Sequence, residues 1–404
     1  MNVAGLLRLT GANIEHAGLH NQRVVLHAIR VAGSVTRAEV AAVTGLTTAT
    51  VTNITNRLLE EGLLGRAGQR RGGRGQPATR LCVNPDGAFA IGVNIDRDHL
   101  TMVVVDFEGR SRARISREVA YSSPEDVQSF YREHVNKLLE QGGIAPEALS
   151  GIGVARPDDL GAIDLPGRPR DHDRWSKHDV ASLFAGPLDL PVTVENDAAA
   201  AAIGEMQFGL GQQYASFFYL LITVGLGGGV VVNSLYDRGA NGRSGEVGFL
   251  MVEGDDGRRV PLQEVLSIAG LARALEAKGL GGKAIHALDL DDPAVAAVTD
   301  EWVARAAAAL VQPLVAVSCL LNPGAVLVGG RLPVALVERL GQATSALMQR
   351  DGGYAPVLAP IRTAALAEDS PAIGAALLAF GHLMLPADTP GRQPNAMISR
   401  DKGR

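Results

Sequence analysis

One plan of apolar strand, tight turn and apolar strand occurs twice in this chain, and that recurrence limits the fold more than any other feature. Phe89–Ile95 and Leu100–Phe107 are runs rich in Val, Ile and Leu, separated by Asp96-Arg-Asp-His99 and closed by Glu108-Gly109. The unit returns as Phe217–Val224, the turn Gly225-Leu-Gly-Gly-Gly229, and Val230–Leu235. β-Branched runs bounded by turn residues read as hairpins. Two such hairpins opening two halves predict a duplicated α/β domain with a cleft between its lobes.

The 404 residues leave room for a second domain ahead of this body. The texture changes at Asn84-Pro-Asp-Gly87, and the charge changes with it. Residues 1–85 hold ten arginines and no lysine against four glutamates and no aspartate, a formal +6. The whole chain carries −5, so the remainder carries −11. A basic head on an acidic body predicts a polyanionic partner for the head alone.

The head has the spacing of a helix-turn-helix. Val25, Leu26, Ile29 and Ala32 recur at helical intervals from Asn21 onward. Thr36-Arg-Ala-Glu39 is a capping box that opens a second helix, and Gly45 supplies the left-handed turn that ends it. Thr47 caps a third helix running to about Glu61, with Val51, Ile54, Leu58 and Leu59 as its inner stripe. Its remaining faces show Thr48, Ala49, Thr52, Asn53, Asn56 and Arg57. Short polar and basic side chains suit entry into a major groove, where an ordinary solvated helix more often carries Glu and Lys. Two short apolar runs then bracket Gln69-Arg-Arg-Gly-Gly-Arg-Gly-Gln-Pro77, a wing whose Arg70, Arg71 and Arg74 are placed to neutralise phosphates or enter a minor groove.

In the body, Pro191-Val-Thr-Val-Glu-Asn-Asp197 delivers Asn196 and Asp197 to the start of an alanine-rich helix. In a cleft, such an Asp acts as general base or accepts a ligand hydroxyl. Its plainer role is to cap the helix. Arg238-Gly-Ala-Asn-Gly-Arg-Ser-Gly-Glu-Val-Gly248 carries one carboxylate, Glu246, and Leu321-Asn-Pro-Gly-Ala-Val-Leu-Val-Gly-Gly330 reads as a buried strand ending in a glycine turn.

These motifs, in this order, resemble the ROK family (repressors, open reading frames and sugar kinases) across roughly Phe89 to Leu383. The resemblance rests on Glu195-Asn-Asp197, Thr223-Val-Gly-Leu-Gly-Gly-Gly229, Gly239-Ala-Asn-Gly242, Gly245-Glu246 and Asn322-Pro-Gly-Ala325. It implies an actin-like (ribonuclease-H-like) two-lobed fold, a sugar bound between the lobes, and oligomers. The head resembles that of the repressor branch.

The departures from the family pattern are equally informative. An Asp-x-Gly-Gly-Thr turn in the first hairpin of ROK kinases is here Asn94-Ile-Asp-Arg-Asp98, and Arg331 stands where a third glycine often follows Gly329-Gly330. Phosphoryl transfer needs phosphates cradled by backbone N–H groups, which bulky charged residues obstruct. The family's zinc element is replaced too. Phe249 takes the place of its His, and Asp255-Asp-Gly-Arg-Arg-Val-Pro-Leu262 that of its cysteines. A further family carboxylate aligns with Gln263, and Ala155-Arg-Pro157 replaces a Pro-Gly-Pro turn. Asn196, Asp197 and Glu246 remain as effector-binding candidates.

The expected organisation is therefore a flexible segment over 1–20, a winged helix-turn-helix over 21–85, a sugar-kinase-like effector and oligomerisation domain over 86–386, and a flexible tail over 387–404. The expected function is a repressor of carbohydrate genes with no catalytic residues, no metal site and no cofactor. Its expected partners are double-stranded operator DNA, a sugar or sugar derivative, and a second or further copies of itself as homodimer or homotetramer. Two rival readings are a sugar kinase that also regulates, and a DNA-binding protein whose body is only an oligomerisation scaffold. Cys82 and Cys319 are read as two buried thiols. No apolar run nears the ~20 residues that span a bilayer, no secretion signal is seen, and the expected location is the cytoplasm.

Overall fold

The computed structural model describes residues 14–69, 78–158, 160, 170–254, 257–282, 284–351 and 353–381. The chain divides into two compact units, one comprising residues up to Gly87 together with those from Phe380 on, the other Ala88–Ala379. The division from head to body falls two residues beyond the expected boundary, and the second unit ends at Ala379 where the body was expected to run to 386.

The first unit is built from α1 (Ile14–Ala32), β1 (Val35–Thr36), α2 (Arg37–Thr44), α3 (Thr48–Glu60), β2 (Leu64–Gln69) and β3 (Thr79–Val83). Helix α1 begins at Ile14, so the expected flexible segment 1–20 is helical from that residue on. Val25, Ile29, Val40, Val51, Leu58 and Leu81 are fully buried and form the core that joins the helices to the strands. Both caps of α2 are as expected: Thr36 and Glu39 satisfy each other's backbone N–H groups, and Gly45 closes the helix at φ 69°. The inner stripe of α3 differs at Ile54, Thr55 and Leu59. Val51, Thr55 and Leu58 are buried, while Ile54 and Leu59 are only half-buried. Thr55 tolerates the interior because its hydroxyl donates to the Thr52 carbonyl and accepts from Arg37 Nε at 2.7 Å. Strands pair antiparallel in the order β1-β3-β2, with Leu64 opposite Val83 and Val35 opposite Leu81. Arg70, Arg71 and Arg74 lie outside the described residues.

The second unit repeats one topology. Its first lobe runs β4 (Phe89–Ile95), β5 (His99–Asp106), β6 (Ser111–Glu118), α4 (Pro124–Gly142), β7 (Leu149–Arg156), β8 (Val192–Asn196) and α5 (Asp197–Phe208). Its second lobe runs β9 (Phe217–Ile222), β10 (Leu226–Val232), β11 (Leu235–Tyr236), the small hairpin β12 (Met251–Glu253) and β13 (Arg259–Pro261), α6 (Leu262–Val265), α7 (Ile268–Ala277), α8 (Pro293–Leu321), β14 (Ala325–Gly330), α9 (Val334–Asp351) and β15 (Ile361–Thr363), followed by α10 (Ser370–Ala379). The sheets are ordered β6-β5-β4-β7-β8 and β11-β10-β9-β14-β15. In each, three antiparallel strands are followed by two that join parallel.

Each lobe has its own core, Ile91, Met102, Phe130, Tyr131 and Phe184 in the first and Leu220, Ile222, Trp302, Leu310 and Leu336 in the second. Helix α10 lies against β4, β7 and α5 with backbones in near contact. A Cβ on Gly153 would stand 1.7 Å from the Ala375 carbonyl oxygen, and one on Gly374 would stand 1.7 Å from that of Ala200. Among the described residues one helix, α8, is apolar and long enough to cross a membrane, contrary to the expectation from the sequence. Buried Trp302, Leu310 and Leu314 show that it serves as the spine of the second lobe. Cys82 is half-buried and Cys319 exposed, both as free thiols, so neither is the fully buried residue expected.

Candidate functional site

In the head, the face of α3 turned away from the core carries Thr48, Ala49, Asn53, Asn56 and Arg57, all exposed, with Thr52 half-buried. Several are already committed to local contacts. Thr52 Oγ1 donates to the Thr48 carbonyl at 2.7 Å. Arg57 Nε lies 3.8 Å from Glu61 Oε1, a solvated pair of little energetic weight. Arg37 at the start of α2 donates from its NH2 nitrogen to Asn56 Oδ1 at 2.8 Å, so one arginine orients both Thr55 and Asn56. Asn53 projects from the middle of the exposed face.

The body brings Asn196, Asp197 and Glu246 into one cleft, lined also by Arg97, Asp158, Thr223, Gly225 and Gln263. The cavity measures about 50 Å³. Strand β8 ends at Asn196, whose Oδ1 accepts the Ala199 N–H at 3.0 Å and so caps α5. Asp197 follows as the first helical residue, and its Oδ1 accepts the Ala198 N–H at 2.8 Å. Burial, reinforced by the nearby charge of Asp96, pushes the Asp197 carboxyl up to about 7. Glu246 is half-buried and accepts from Arg243 Nε at 2.9 Å.

The turn from β4 to β5 supplies the other wall. Asp96 Oδ1 accepts the Arg97 N–H at 2.7 Å, and its carboxyl is pushed up, first by burial and then by the charge of Asp98. Asp98 is a different case. Burial pushes its carboxyl up, but His99 and Arg331 outweigh that and hold it below its ordinary value. His99 Nδ1 lies 2.7 Å from Asp98 Oδ1 and Arg331 NH1 lies 2.9 Å from Asp98 Oδ2. Asp96, Asp98 and His99 bring ligand-type atoms within 4.8 Å of one another. With Asp98 engaged by the Arg331 guanidinium and the His99 ring, the group is a polar network in its own right.

Arg97, Arg243 and Asp158 are site residues that sequence reasoning missed. The signal for Arg97 was present, because a bulky cation stands where a glycine turn was expected, yet it reads from the sequence only as a lost glycine. Gln263 and Phe249 were noted as departures from a pattern, and both line the cleft. Arg156, in the Ala155-Arg-Pro157 turn, donates from NH1 to the carbonyls of Pro157 and Asp158.

A family model described as the ROK family matches residues 90–381. The chain belongs to the ROK family. It is 30% identical over 362 residues to an uncharacterised protein, y4fQ, of Sinorhizobium fredii, covering 89% of this chain and 90% of that one. It is 28% identical over 235 residues to the xylose repressor of Bacillus subtilis, covering 58% of this chain and 60% of that protein. A crystal structure described as a ROK family transcriptional regulator, homolog of the E. coli MLC protein, is similar with a TM-score of 0.65 at 19% identity. That likeness covers 91% of this chain and 97% of the other. The shared fold therefore takes in head as well as body. Sugar kinases of the ROK family share the fold of the body. The two matching five-stranded sheets are the actin-like duplication of the ROK body.

Proposed function

We propose that this ROK protein is a DNA-binding transcriptional repressor of carbohydrate uptake or catabolism genes, controlled by a sugar or sugar derivative held between the lobes of its body. The observation that carries this reading is the exposed face of α3, polar and basic with no carboxylate among Thr48, Ala49, Thr52, Asn53, Asn56 and Arg57, within a capped helix-turn-helix on the same chain as the ROK body. Asn53, Asn56 and Thr52 are suited to base edges, and Arg57 with Arg70, Arg71 and Arg74 to phosphates. The relatives named xylose repressor support the same reading.

Asn196, Asp197 and Glu246 supply the acceptors that sugar hydroxyls need. At about 50 Å³ the cleft is far smaller than the roughly 300–1,000 Å³ of typical ligand pockets. A sugar ring therefore enters only when Arg97 or the lobes move, and that movement is the means by which ligand binding reaches the head. We assign no catalytic role, no metal and no cofactor, because charged Arg97 and Arg331 stand where a nucleotide's phosphates would require glycine. The protein acts as a homodimer or homotetramer in the cytoplasm, two recognition helices reading half-sites about one helical turn apart.

The test is selection of DNA from a random pool by the full chain, followed by an ATP-coupled assay on common sugars. A palindrome with half-sites spaced about 10 bp or a multiple, and no phosphoryl transfer, is the expected result. Binding without sequence preference, or sugar phosphorylation at enzymatic rates, overturns it. Asp197, poised near 7 in a cleft, favours the kinase alternative, as does the retained Gly225–Gly229 turn.

A further inference from the structure

Among the described residues the guanidinium of Arg97 makes no hydrogen bond and no ion pair, although the residue is only 6% exposed. It lies in the effector cleft, with NH1 3.7 Å from where a Cβ on Gly225 would stand, against the glycine turn of the second lobe. The backbone beneath it is held firmly. Its N–H donates to Asp96 Oδ1, and its carbonyl accepts the Tyr121 N–H at 2.7 Å. Tyr121 takes up φ 57° to do so, a left-handed conformation rare for an aromatic residue. A strained residue thus fixes the turn that carries an unpaired cation lining the cleft.

The neighbouring carboxyl groups form no contact pair with that cation, although Asp96 and Asp197 feel its charge. Glu246 is engaged by Arg243, and burial drives Asp96 and Asp197 toward their neutral forms. A guanidinium facing a cleft is free to receive a ligand's anion, and its planar fork matches a carboxylate or phosphate in two parallel hydrogen bonds. Gly225, lacking a side chain, lets such a group come close to the turn.

We infer that the effector of this cleft is an anionic sugar derivative, an acid or a phosphate, whose charged group pairs with Arg97 over the Gly225 turn. The inference rests on the cleft being the effector site, and Asn196, Asp197 and Glu246 then receive the hydroxyls.

The full chain is titrated calorimetrically with D-glucose, D-gluconate, D-glucose 6-phosphate, D-xylose, D-xylonate and D-xylose 5-phosphate, alone and as Arg97→Gln and Arg97→Lys variants. An acid or a phosphate is expected to bind at least ~30-fold more tightly than its neutral parent, the acid and phosphate arms deciding which group is read. Arg97→Gln is expected to lose that preference and Arg97→Lys to keep part of it. Should the glutamine variant fail to fold, the preference of the unaltered chain for the anion over its neutral parent still decides. A neutral sugar that binds as tightly as its acid, unaffected by Arg97→Gln but lost in Asp197→Asn, overturns the anionic effector and leaves the cleft as the effector site. No binding by any of the six to the folded chain overturns both.

Discussion

Arg331 and Asp98 join the two lobes: Arg331 NH1, at the end of β14, lies 2.9 Å from Asp98 Oδ2 in the turn between β4 and β5. Arg331 NH2 also lies 2.6 Å from Glu118 Oε1 at the end of β6. A guanidinium only 5% exposed therefore ties the second sheet to two strands of the first.

Replacing it should loosen that joint. The arginine is buried, but Glu118 is more than half exposed and is rehydrated easily, so Arg331→Met should cost about 2 kcal/mol in denaturant unfolding. The Asp98 carboxyl is held low in the fold, so its contribution is present above its unfolded value near 4 and is lost as pH falls through the folded value. The cost of Arg331→Met should accordingly shrink below about pH 4. An equal cost at pH 3 and pH 7 contradicts this.

Asp197 works in the opposite direction. A carboxyl raised to about 7 binds its proton more tightly in the fold than in the unfolded chain. Between about pH 4 and pH 7 the folded state holds the extra proton, so stability falls as pH rises through that window. Asp197→Asn should remove this fall and leave the variant the more stable at pH 8, by up to about 4 kcal/mol. Denaturant midpoints at pH 5 and pH 8 check it, and parallel pH slopes in the two proteins count against it.

Gly374→Ala should be among the most damaging small changes. The added Cβ meets a carbonyl oxygen of α5 at 1.7 Å, and a backbone atom cannot swing aside. About 3 kcal/mol of stability should be lost. A melting temperature within 2 °C of the unaltered chain, an arbitrary margin of roughly the noise in such a scan, contradicts the tight packing of α10 on α5.

In the head, Asn53→Ala should relax sequence preference by about 1–3 kcal/mol, whereas Arg57→Ala should weaken all DNA binding alike and lower its salt slope by about 1. Arg37→Ala should resemble Asn53→Ala in its effect on preference, because it frees Asn56. Binding curves at three salt concentrations on cognate and scrambled DNA distinguish these roles. Identical behaviour of Asn53→Ala and Arg57→Ala removes the assignment of reading and anchoring.

What could be read from the chain alone was local. The capping box at Thr36 and Glu39, the αL glycine at Gly45 and the cap at Thr47 depend on a few successive residues, and each stands where the sequence placed it. Strand β6 was harder to read. It is an edge strand whose alternate positions are exposed and charged at Arg112, Arg114 and Glu118, so it lacks the apolar run that marked its neighbours. Helix α10 is buried on every side and has no polar face to give it a period. The burial of Thr55 in place of Ile54 depended on Arg37, eighteen residues away. Asn196, Asp197 and Glu246 were legible through short motifs, whereas the partners of Arg331, Asp98 and Glu118, lie in the opposite lobe and have no local signature.

The affinity of the full chain for its selected operator, measured by fluorescence anisotropy with and without each sugar, acid and phosphate named above, tests the central claim most directly. A ligand bound in the cleft should change operator affinity by roughly 5–150-fold, and operator DNA should change that ligand's affinity by the same factor. An operator affinity that no cleft ligand alters contradicts the claim that this ROK protein is a sugar-controlled regulator.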